Sequence, residues 1–148
     1  MSYDLVRHRS IDCGYRNINV IKDYVQWAAK IIQDKYPKER YALLGSKSSG
    51  AYLGIALASA INGIYVDIES IKQKLGVNDD YFLSTDIQPT ILIFVDDYIH
   101  SRSTFDSFVF ITDHEKYDLL KRMAIVIDAS IYSRQRVSET LEFYYKSL

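Results

Sequence analysis

The part of this sequence richest in side chains able to do chemistry is Ile91-Leu-Ile-Phe-Val-Asp96-Asp97-Tyr-Ile-His100-Ser101-Arg102-Ser103-Thr104. Adjacent carboxylates repel one another, so a pair placed straight after a buried apolar run makes sense where it meets a cation or sugar hydroxyls. The hydroxyl-rich turn Ser101-Arg102-Ser103-Thr104, opening the next helix, suits a phosphate monoester. Acids and a phosphate cradle so close together point to a phosphorylated sugar bound with Mg²⁺. The plainer alternative is a solvated acidic pair, with Ser103 or Thr104 serving only as a helix cap.

A second constellation is Gly45-Ser46-Lys47-Ser48-Ser49-Gly50. A glycine-bounded, serine-rich turn leading into a helix offers backbone N–H groups and the positive helix end to an anion, and Lys47 adds a full charge. It is not a Walker A loop, because Ala51-Tyr52 follows Gly50 where Lys-Ser/Thr is required. The Gly-x-Ser-x-Gly nucleophile elbow is absent too. An ordinary strand-to-helix turn with capping serines competes evenly with the anion site.

Other chemistries are closed off by composition. Cys13 is the only cysteine, so neither an intramolecular disulfide nor a thiolate zinc cluster can form, and His8, His100 and His114 have no ligand spacing. Lys and Arg number 18 against 19 Asp and Glu, a net charge of −1, which disfavours general electrostatic binding to nucleic acid. The N-terminal residues lack the apolar core of a signal peptide. Ser48 to Val66 carries no charge, but Gly50, Gly54, Ser59, Asn62 and Gly63 interrupt it, so it reads as a buried helix and a strand and not a membrane span. The expectation is a soluble, cytoplasmic protein with no membrane or nucleic-acid partner.

Positioning these groups requires a particular order of elements. The 148 residues are one domain's worth of chain, with 48% hydrophobic residues and no repeat or linker. Val20, Tyr24, Trp27, Ala28, Ile31 and Ile32 predict an amphipathic helix over Asn19–Lys35, stopped by Pro37. Tyr41–Leu44 reads as a buried strand, Ala51–Ile61 as a helix and Ile64–Ile68 as a strand. Glu69–Gln88 is polar and mixed, the best candidate for a mobile loop or hood. Thr90–Val95 reads as a strand covered on both faces and broken by Asp96-Asp97. Phe105–Ile111 is apolar and aromatic, and Thr112-Asp-His-Glu115 has the form of a capping box for a helix reaching Leu119 or Lys121. Met123–Asp128 is a further strand. This alternation argues a parallel α/β sheet, in which ligands bind beyond the carboxyl ends of the strands. Gly45, Asp96-Asp97 and Asp128 stand at such ends. The aromatic tail from Ile131 to Tyr145 could stack on a base, though tyrosines more often pack a core or an interface.

In that order and composition, Ile91–Thr104 resembles the motif of type I phosphoribosyltransferases that binds 5-phosphoribosyl 1-pyrophosphate (PRPP): apolar residues, two acids, two variable residues, then a phosphate loop. Gly45–Gly50 sits where that family has its pyrophosphate loop, and Glu69–Gln88 where it has a flexible loop. The resemblance spans roughly Tyr41 to Asp128, with only the PRPP stretch specific. It implies a single-domain, Rossmann-like parallel-sheet fold with a small hood, a homodimer, and transfer of phosphoribosyl to a nucleobase nitrogen with release of pyrophosphate. Asp96 and Asp97 would meet the ribose 2- and 3-hydroxyls and, directly or through water, Mg²⁺. Ser101, Arg102, Ser103 and Thr104 would hold the 5-phosphate, and Ser46, Lys47 and Ser48 would face pyrophosphate and Mg²⁺. Asp97 and His100 are the catalytic candidates, His100 as general acid or base, or equally as an exposed loop histidine. Ser101-Arg102 replaces the usual Thr-Gly, and Arg is strained at a positive φ that Gly adopts freely. That departure keeps a second reading open, a non-catalytic protein of this fold that binds a nucleotide or a protein. A receiver-type signalling domain fits less well, since Asp128 stands where its late-strand lysine belongs.

Overall fold

The structure, a computed structural model, describes residues 18–46, 49–70, 88–100, 104–113 and 120–146. Helix α1, Ile18–Lys35, turns Tyr24, Ala28 and Ile32 inward, one per turn, as their four-residue spacing dictates. It ends where Tyr36 N–H donates back to the Ile32 carbonyl and Pro37 forbids another turn. Strand β1, Tyr41–Gly45, is buried along its whole length. Helix α2, Ser49–Ile61, is apolar on most sides because α1 and the sheet both pack on it. Asn62, at φ 58°, closes α2 and lets Gly63 N–H reach the Ala58 carbonyl. Strand β2 follows at Ile64–Asp67.

Strand β3, Ile91–Ile99, is buried at all nine positions. Helix α3, Thr104–Thr112, strand β4, Lys121–Ala129, helix α4, Ile131–Thr140, and strand β5, Glu142–Tyr145, complete the described chain. The strands form one parallel sheet in the order β2-β1-β3-β4-β5. Its two faces bury separate cores. Leu43, Ile93, Val95, Ile125 and Ile127 pack against α1 and α2. Leu44, Phe94, Ala124 and Val126 pack against Phe105 and Phe108 of α3 and Val137 of α4. The Phe94 ring meets Phe105 and Phe108 at 5.4 Å each, edge-on to the first and tilted to the second.

Three expectations need correction. Strand β3 does not stop at Val95 but runs through Asp96 and Asp97 to Ile99, because β4 supplies ladder partners beyond the apolar run: Val126 beside Asp96 and Asp128 beside Tyr98. Thr112 ends a helix and does not start one. Its hydroxyl donates to the Phe108 carbonyl one turn back, and the spacing of Phe105, Phe108 and Ile111 makes 104–112 helical. Residues 114–119, where the expected helix falls, lie outside the described residues. A third concerns the tail, for which stacking on a base and packing were both open: it forms α4, with Ser130 capping through Ser133 N–H, and then the fifth strand of the sheet. The segment expected as a hood lies mostly outside the described residues. Among the described residues no helix is long and apolar enough to cross a membrane.

Candidate functional site

The strand order reverses between β1 and β3: from β1 the chain moves outward to β2, and from β3 it moves the other way, to β4 and β5. At such a switch point the connecting loops part and leave a crevice beyond the carboxyl ends of the strands. The register, with Leu44 beside Phe94, puts Gly45 and Ser46 level with Val95 and Asp96 on the two walls of that crevice.

Gly45 and Gly50, on either side of the β1–α2 connection, lie close together. A Cβ on Gly45 would lie 3.0 Å from the Gly50 carbonyl, and one on Gly50 would lie 3.0 Å from the Val95 carbonyl and 3.2 Å from Ser46 Oγ. Glycine at both ends therefore lets the start of α2 settle against β3, one residue before Asp96. From β2, the Tyr65 hydroxyl donates to the Ser46 carbonyl at 3.1 Å.

Asp96 and Asp97 are 7% and 3% exposed, so the picture of a solvated acidic pair fails. Asp96 Oδ1 accepts the Asp97 N–H at 2.8 Å, which fixes its carboxylate against the backbone. Its charge reaches well into the molecule. The Tyr24 phenol, pushed up first by burial and then by Asp96, remains protonated and donates to the Ile125 carbonyl at 2.7 Å. The regular alternation of the two faces also breaks at this level. Val95 and Ile127 belong to the α1–α2 core, yet Ile99 and Ala129 belong to the α3–α4 core.

Alongside lies a second acidic strand end. Asp128, 8% exposed, accepts Arg134 Nη2 at 2.7 Å and the Ala129 N–H at 2.8 Å, both on Oδ1. Arg134 Nε donates to the Ala129 carbonyl at 3.0 Å, and the guanidinium lies 4.5 Å from the centre of the Tyr145 ring. Burial, then the Asp128 charge, raises the Tyr98 phenol, with Arg134 opposing.

Of the residues singled out by sequence, Asp96 and Asp97 are buried in β3, and Ser46 follows the end of the neighbouring strand β1. His100 is exposed just past β3, and Thr104 is the first residue of α3. Lys47, Ser48, Ser101, Arg102 and Ser103 lie outside the described residues. Sequence reasoning noted Asp128 only as a strand end, and it missed Tyr65 and Arg134. The four-residue strand Ile64–Asp67 hid Tyr65, but Arg134 could have been found from Ser130, a cap residue directly after a strand that ends in an acid.

The donor set suits Mg²⁺ in one way only. Among the described residues no group of three or more His, Cys, Asp or Glu side chains could hold a metal ion. Mg²⁺ commonly keeps water and takes one or two carboxylates together with substrate phosphates. Asp96 and Asp97 would supply such carboxylates, and the remaining ligands would have to come from substrate and water.

No family model and no curated protein matches the sequence. Several solved structures are similar to it in fold. Adenine phosphoribosyltransferase of Saccharomyces cerevisiae, complexed with D-2,5-dideoxy-2,5-imino-altritol 1,6-bisphosphate and adenine, superposes with TM-score 0.61 at 14% identity, covering 88% of this chain and 80% of that one. Orotate phosphoribosyltransferase of Aeropyrum pernix gives 0.60 at 10% identity, covering 88% and 72%. Adenine phosphoribosyltransferase of Trypanosoma brucei, in complex with AMP, pyrophosphate and ribose-5-phosphate, gives 0.62 at 12% identity, covering 88% and 65%. At these identities the likeness is one of fold: the chain is an α/β protein with the five-stranded parallel sheet of the phosphoribosyltransferases.

Proposed function

We propose that this chain, built on the phosphoribosyltransferase fold, binds PRPP with Mg²⁺ and transfers its phosphoribosyl group to a nitrogen of a nucleobase or related acceptor. The observation that carries the reading is the burial of Asp96 and Asp97 in β3 at the switch point, directly after the Val95 carbonyl against which Gly50 of α2 packs. Ribose hydroxyls and a substrate-borne Mg²⁺ are ligands suited to carboxylates at the carboxyl end of a central parallel strand.

In the reaction the C1–O bond to pyrophosphate breaks, and both electrons leave with pyrophosphate. The acceptor nitrogen forms the new C1–N bond and gives up its proton. Positive charge develops on the sugar, where the Asp96 and Asp97 carboxylates oppose it, and negative charge develops on the leaving group, where the β1–α2 turn, with Ser46, Lys47 and Ser48, donates hydrogen bonds. Mg²⁺, when bound, neutralises the pyrophosphate. Thr104 and the residues before it, Ser101, Arg102 and Ser103, hold the 5-phosphate at the start of α3. His100 stands just past β3, where it can take up the acceptor's proton.

A second reading, nucleotide binding without turnover, is favoured by one sequence feature: Arg102 where this fold's phosphate loop ordinarily uses glycine. Calorimetry with PRPP, with and without Mg²⁺, tests the first reading. Micromolar binding that requires Mg²⁺ is expected, weakened at least about tenfold in an Asp96→Asn/Asp97→Asn variant, as loss of one charge-assisted contact or more implies. Absence of binding by the folded wild-type protein would overturn the transferase reading and leave the second. Pyrophosphate release on adding nucleobases would then separate enzyme from binder. A homodimer is part of the same proposal and is read from the molecular mass in solution.

A further inference from the structure

Ser46, the residue after β1, is held by a side chain from β2. The Tyr65 hydroxyl donates to the Ser46 carbonyl at 3.1 Å. The Cδ1–Cε1 edge of its ring abuts α2 at Gly54, where an added Cβ would sit 2.4 Å from Cε1 and 2.5 Å from Cδ1. The hydroxyl also lies 3.1 Å from the position a Gly45 Cβ would take. Any side chain at Gly54 would thus drive the ring out, and one at Gly45 would crowd its oxygen. Burial, reinforced by the charges of Asp67 and Asp96, pushes the Tyr65 phenol well up, so it stays a donor across the working pH range.

We propose that Tyr65 is a positioning residue for Ser46 at the end of β1: its hydroxyl fixes the Ser46 peptide, Gly54 provides the space for its ring, and affinity for pyrophosphate at that strand end depends on both. The inference rests on the phosphoribosyl reading and names what sets one half of that site. Hydrogen-bond donors bind an anion well only when they are held in place before it arrives, and the tether at Ser46 removes freedom that its peptide would otherwise lose on binding.

The test compares wild type, Tyr65→Phe and Gly54→Ala, with Mg²⁺-pyrophosphate and ribose-5-phosphate titrated separately by calorimetry. Tyr65→Phe keeps the ring on Gly54 and removes only the hydroxyl. It should weaken pyrophosphate binding about five- to tenfold, the worth of one hydrogen bond, and leave ribose-5-phosphate affinity within about twofold. Gly54→Ala should weaken pyrophosphate in the same direction, and the double variant should lose no more than the worse single one, since both act through one contact. In a turnover assay the loss should fall on KM for PRPP more than on kcat. If wild type binds both ligands and Tyr65→Phe binds pyrophosphate as wild type does, or loses both ligands equally, Tyr65 is structural and the inference is wrong. Ribose-5-phosphate binding without pyrophosphate binding in wild type also overturns it, while leaving the sugar-phosphate half standing. Binding of neither ligand by wild type removes the phosphoribosyl reading and this inference with it.

Discussion

Asp128 and Glu142 are acids in opposite situations. Asp128 lies at the carboxyl edge, and its ion pair with Arg134 has the guanidinium about a third exposed and the carboxylate nearly buried. Arg134→Ala should cost about 1–2 kcal/mol in urea unfolding, below the usual cost of orphaning a buried charge because solvent still reaches the arginine side. Glu142 lies at the amino edge of the sheet. Burial acts to raise its pKa, but hydrogen bonds from Lys35, Tyr144 and Tyr36 outweigh that and hold the carboxyl below its ordinary 4.5. A depressed folded pKa stabilises fully above the unfolded value and ceases to as pH falls through the folded one. Glu142→Gln should therefore flatten the loss of stability on the acid side of pH 4.5. The same hydrogen bond, seen from Tyr36, raises that phenol to about 12, so the partnership also fades as pH climbs from 10 to 12. At this scale Asp96 and Asp97 were legible, because two acids after an apolar run are costly without a purpose. Their burial was not, since it depends on β4 continuing beside them. Tyr65 was illegible among 13 tyrosines, because its role is set by a Cβ that Gly54 lacks.

The elements end on residues that bear local strain. Lys38, following Pro37 after α1, has φ 60°, and Asn62, closing α2, has φ 58°. The left-handed region costs a residue with a Cβ about 1–2 kcal/mol, least for Asn. Lys38→Gly should raise the urea midpoint by an amount equal to about 1 kcal/mol, less the entropy glycine adds to the unfolded chain, while Asn62→Gly should change little. Helix α1 and strands β1 and β4 were readable, since their patterns repeat at 3.6 residues or run unbroken. Helix α4 was not: only Ser133 and Val137 are buried in it, so its sequence has almost no apolar stripe, and its place is fixed by Ser130 and the sheet edge. Helix α3 was obscured by the opposite fault, as Val109 and Phe110 fill the gaps between its buried positions, and Phe110 stands 78% exposed.

Across the whole molecule, charge is divided between the two ends of the sheet. The amino edge neutralises its own acids through Lys35 with Glu142 and Lys121 with Glu39. The carboxyl edge gathers Asp67, Asp96, Asp97 and Asp128, and Arg134 pairs with Asp128 there while Arg136 pairs with Asp106 at the start of α3. Layering on both faces was legible, because strands covered on two sides read as continuous apolar runs. The strand order was not, since pairing between β1 and β3 leaves no trace in either segment. That pairing also sets a schedule. Tyr41 lies beside Ile91, about 50 residues later in the chain, whereas β2, β4 and β5 each join a strand closer in sequence. During synthesis β1 and β2 are complete long before β3 emerges, and Leu43 and Leu44 must wait without the neighbour that covers them. The slow, aggregation-exposed step in making this protein is the arrival of its central strand, the same strand that carries the buried acids.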